Sequence, residues 1–83
     1  MEFTKEEFRK LVLAAYGNAD LSGELSTWLT HPETDAAGSV KTVRVGGISL
    51  RGTQLRSVLG LRSACFTWEV QEEHIVFFVT GYG

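Results

Sequence analysis

The chain has 83 residues, 43% of them hydrophobic and 22% charged, with a formal net charge of −2. These residues suffice for one small domain, which buries only about 60–65% of its unfolded surface. Eight Lys and Arg scattered along the chain argue against nucleic acid as a partner. Cys65 is the single cysteine, which excludes an internal disulfide and a Cys-rich zinc site. The longest apolar runs, Leu11 to Tyr16 and Ile75 to Val79, are too short to span a bilayer. Met1 to Glu7 is too acidic and polar to read as a signal peptide.

Thr4 and Glu7 stand three residues apart, the spacing of a capping box, with Phe3 and Phe8 placed as a hydrophobic staple. Phe8, Leu11, Val12 and Ala15 recur at helical spacing. Together these predict a helix from about Lys5 to Tyr16, stopped by Gly17. Asn18 to Ala37 reads as a connection, with a short helical turn around Leu21, Leu25, Trp28 and Leu29 and a loop at Pro32.

Val40 to Val45 is rich in β-branched residues and predicts a strand. Gly46-Gly47 is a two-residue hairpin signal, and Ile48 to Leu50 the return strand. A second helix is expected from about Gly52 to Leu59, ended by Gly60. Phe66, Trp68 and Val70 alternate with Thr67 and Glu69, the period of a half-buried strand. Gln71 to His74 is a polar turn, and Ile75 to Val79, apolar on both faces, reads as a central strand covered on two sides. The expected class is α+β: two short helices on a small, mostly antiparallel sheet built from two hairpins, part of a larger domain. In this stretch alone Ile75 to Val79 is expected at an exposed sheet edge, which invites self-association.

A weak repeat is visible. Phe3-x-x-x-Glu7-Phe8-Arg9-x-Leu11-Val12 echoes Leu50-x-x-x-Gln54-Leu55-Arg56-x-Val58-Leu59. Two helices obeying one set of capping rules, or an internal duplication, both account for it.

The residues show no complete active site. Glu6 and Glu7 belong to a helix's first turn, where the dipole favours carboxylates. Glu72 and Glu73 fall in a turn, and Glu69 faces solvent on a strand. His31 and His74 lie in predicted loops, far apart, with no third ligand nearby, so no metal site and no cofactor is expected. Trp28, Trp68, Tyr16 and Tyr82 are candidate sugar-stacking platforms, though at these spacings Trp28, Trp68 and Tyr16 read more readily as core aromatics, and Cys65 reads as a small buried residue. Tyr82, between Gly81 and Gly83 at the end of an apolar strand, is placed where a backbone can approach a ligand closely.

The segment from Gly47 to Ser63, Gly-Ile-Ser-Leu-Arg-Gly-Thr-Gln-Leu-Arg-Ser-Val-Leu-Gly-Leu-Arg-Ser, resembles the SpoIID/LytB domain (stage II sporulation protein D). So do Phe66-Thr67-Trp68-Glu69-Val70, Ile75-Val76-Phe77 and Thr80-Gly81-Tyr82-Gly83. The likeness covers nearly all of residues 1–83 and is most specific from Val43 onward. It implies a partial SpoIID/LytB domain, ending before that family's His-Gly-Val-Gly-Met-Ser-Gln-Tyr-Gly-Ala signature. The implied activity is lytic transglycosylation of peptidoglycan: cleavage between amino sugars, without water, leaving an anhydro-muramyl end. The implied substrates are glycan strands stripped of stem peptides. The implied partners are other cell-wall hydrolases and sporulation membrane proteins, in an extracytoplasmic protein held by a membrane anchor. Nothing in the chain matches the family's catalytic Glu motif, so the stretch is expected to be inactive alone. Gly81, Tyr82 and Gly83 map as the approach to the substrate groove. A non-catalytic glycan-binding or amidase-enhancer module, or a purely structural fragment, are the competing readings.

Overall fold

A computed structural model describes residues 1–80. The first strand, β1 (Glu2–Thr4), runs directly into helix α1 (Lys5–Ala15). The capping box forms: the Thr4 hydroxyl accepts the Glu7 N–H at 3.2 Å, and the Glu7 carboxylate accepts the Thr4 N–H at 2.9 Å. Phe8 and Val12 are fully buried, whereas Leu11 and Ala15 face solvent. The buried seam of α1 is therefore a single i, i+4 line, narrower than the spacing predicts. The helix ends one residue early. Tyr16 is its C-cap, its N–H donating to the Val12 carbonyl at 2.7 Å, and Gly17 takes no left-handed conformation.

A single 3-10 turn, Leu25–Thr27, precedes strand β2 (Leu29–Thr34). The loop expected at Pro32 is thus part of a strand. Proline is tolerated there because β2 is an edge strand and its pairing with β3 (Val40–Val45) slips between Thr30 and Glu33. His31, with φ 52°, sits at that irregularity and not in a loop. Strand β4 (Ile48–Arg51) returns from β3 through Gly46-Gly47, both with positive φ, as a two-residue hairpin requires.

Helix α2 (Gly52–Leu59) follows β4 without a break and stops at Gly60, which is left-handed. Strands β5 (Phe66–Gln71) and β6 (His74–Val79) form the last hairpin, so His74 also lies in a strand.

The α+β class holds, with two α-helices and only antiparallel pairing among the described residues. The two hairpins, however, belong to separate three-stranded sheets, β2-β3-β4 and β1-β6-β5. The third strand of the second sheet is β1, too short to carry a β signal of its own. Its Phe3 faces Ile75 across the ladder. β6 is consequently central and not at an edge. It is covered on one side only: Ile75 and Phe77 are buried, while Phe78 is 50% exposed.

One core joins both sheets and both helices. Its aromatic centre is Phe77, which meets Phe3 edge-on at 5.8 Å, Phe66 edge-on at 5.8 Å and Phe8 stacked at 6.2 Å. Trp28 is buried beside Phe8, and its indole N–H donates to the Gly23 carbonyl at 3.1 Å.

Candidate functional site

Gly81, Tyr82 and Gly83 lie outside the described residues. What leads up to them is described. The Thr80 N–H donates to the Cys65 carbonyl at 2.9 Å, and the Thr80 hydroxyl lies 3.1 Å from the Cys65 thiol. That thiol also donates to the Gly38 carbonyl at 3.4 Å. Cys65 is therefore half-buried and engaged in polar contacts, not sunk in the core as its sequence context suggests. It ties together the end of β6, the start of β5 and the β2–β3 turn.

Two clefts flank the start of β5 and share Phe66 and Thr67. The first, about 220 Å³, is lined by Pro32, Thr34, Val40, Phe66, Thr67 and Trp68. It opens between β2 and β5, each the free edge of its own sheet. The second, about 190 Å³, is lined by Gly38, Cys65, Phe66, Thr67, Phe78 and Thr80. Together they offer one half-buried indole, an exposed phenyl ring, a proline and three threonine hydroxyls. Such a lining can stack on an apolar sugar face and exchange hydrogen bonds with hydroxyl groups. Among the described residues it carries no carboxylate and no imidazole, and so lacks the carboxylic acid that glycoside cleavage commonly uses as proton donor.

The acids sit elsewhere. Glu24, Glu72 and Glu73 line a separate depression of about 290 Å³ with Lys5. There the Glu73 carbonyl accepts the Lys5 N–H at 2.8 Å, joining the β5–β6 turn to the first turn of α1. Glu69 is exposed on the outer face of β5, as its alternation predicts. The carboxyl groups of Glu7 and Asp20 are both held below their ordinary pKa. The cause at Glu7 is the Thr4 backbone N–H and then its hydroxyl; at Asp20 it is the Ser22 hydroxyl and then its N–H. A general acid needs the opposite shift. Among the described residues no three His, Cys, Asp or Glu side chains converge as a metal site. No helix among them is long and apolar enough to cross a membrane.

Reasoning from the sequence missed the cleft between β2 and β5. Its walls come from two stretches far apart in the chain, Pro32 to Val40 and Phe66 to Trp68, and a loop at Pro32 leaves no edge strand to form one of them. The available signal was slight: the β-formers Thr30 and Thr34 stand two residues either side of Pro32, and an edge strand admits proline. No family model matches the chain, and no curated protein matches it either.

Proposed function

We propose that this chain is a non-catalytic wall of a domain that cleaves peptidoglycan glycan strands by lytic transglycosylation. In this role it contacts the glycan and holds the strand leading to Gly81, Tyr82 and Gly83, and the proton donor comes from outside these 83 residues. The observation that carries the reading is the pinning of Thr80 to Cys65 beside two clefts rich in aromatic and hydroxyl groups and, among the described residues, free of carboxylates. A site on rigid elements keeps its geometry better than one on a free loop, and the end of a central strand is such a support.

The extracytoplasmic location, the membrane anchor and the partnership with other wall hydrolases belong to the same proposal. They rest on the resemblance of Gly47 to Gly83. The carboxylate-free lining also favours a second reading, a glycan-binding or amidase-enhancing module that never cleaves. Peptide-free glycan strands incubated with the chain, and with a longer protein carrying it, separate these readings when anhydro ends are counted by mass spectrometry. The first reading expects no ends from the chain alone and ends from the longer protein. Ends produced by the chain alone overturn both readings, and none from the longer protein leaves the binding module.

A further inference from the structure

The element order is the same unit written twice. Strand, helix, strand, strand runs β1-α1-β2-β3 and then β4-α2-β5-β6. Within each unit the last two strands form a hairpin, and the first strand leaves its own hairpin to pair with the other's. β1 lies against β6, and β4 lies against β3. The helix starts agree as well: the Thr4 N–H donates to the Glu7 side chain, and the Arg51 N–H donates to the Gln54 side chain at 2.8 Å. The faint likeness of residues 3–12 to residues 50–59 spans the two strand-to-helix junctions, β1 to α1 and β4 to α2.

Each unit is incomplete without its counterpart. Phe77 of the second unit packs on Phe3 and Phe8 of the first. The Val40 N–H of the first unit donates to the Ala64 carbonyl of the second at 2.8 Å. Only Gly46-Gly47 joins the units covalently.

We propose that the surface between the two units is a chain-to-chain interface folded into one molecule, and that its second partner is the complementary unit of another copy of this chain. Opening at Gly46-Gly47 lets the first unit of one copy close on the second unit of another. In the intact chain a two-residue link keeps the units at an effective concentration of roughly millimolar or above, so the closed form prevails. Exchange is reached when pairing within the chain is blocked.

Val12→Asp puts a charge in the core from the first unit, and Leu59→Asp does so from the second. Each full-length variant is unable to build an intact core alone. Mixed, they can exchange units, because the unaltered first unit of L59D and the unaltered second unit of V12D make one complete core. With L59D isotopically labelled, addition of unlabelled V12D is expected to restore dispersed amide signals for residues of the first unit only. Light scattering should then give the mass of two chains. Mixing V12D with Phe8→Asp, both altered in the first unit, should restore nothing. A V12D and L59D mixture that matches the sum of its separate spectra overturns the proposal. So does equal recovery in the V12D and F8D mixture.

Discussion

The backbone of Val40 fills the space that a side chain on Gly52 would need. A Cβ built on Gly52 would overlap the Val40 carbonyl oxygen and crowd its carbonyl carbon and Cβ. Gly52 is the first residue of α2 and is buried, so this contact sets how closely α2 lies on β3. Gly52→Ala must push the two apart. The expected loss is about 1–3 kcal/mol, the usual cost of overpacking, and denaturant unfolding measures it. Gly47→Ala meets no atom within 4 Å but carries a φ of +83°. It should cost only the left-handed penalty, about 1–2 kcal/mol.

Phe77 and Phe78 are neighbours on β6 with opposite environments. Phe77 is buried against three aromatic rings, while Phe78 points outward. Phe77→Ala should cost about 3–5 kcal/mol, a large share of the stability of a domain this size. Phe78→Ser should change unfolding by no more than about 0.5 kcal/mol. Equal losses would mean that β6 is covered on both faces.

The α1 cap gives the fold an acid-sensitive point. Glu7 and Asp20 are both held below their ordinary pKa by hydrogen bonds made in the folded state. A lowered folded pKa stabilises above the unfolded value, and that contribution fades as pH falls through the folded value. The melting temperature should therefore drop as the pH goes below about 4. Glu7→Gln with Asp20→Asn should flatten that part of the profile, since both amides can still accept the same bonds. Thr4→Ala should lower stability at neutral pH by about 1 kcal/mol, the cost of an N-cap.

Local chemistry made most elements legible. The capping box of α1, the Gly46-Gly47 hairpin, the Gly60 stop and the alternation of β5 all lie within a few residues, and all form as read. What stayed hidden is what depends on distant partners. β1 is three residues long and exists because β6 offers it an edge. The one-sided burial of β6 cannot be told from Ile75 to Val79 alone, because the same apolar run suits either case. The candidate cleft joins Pro32 and Thr34 to Thr67 and Trp68, so it appears only once both sheets are in place.

Chemical-shift mapping of the chain with purified, peptide-free glycan strands decides whether the two clefts beside β5 bind glycan. Saturable shifts are expected at Thr34, Val40, Phe66, Thr67, Trp68 and Thr80. Trp68→Ala should weaken them at least several-fold while leaving the rest of the spectrum in place. Shifts confined to the Lys5, Glu24 and Glu73 depression, or none at any glycan concentration, would contradict glycan binding at those clefts.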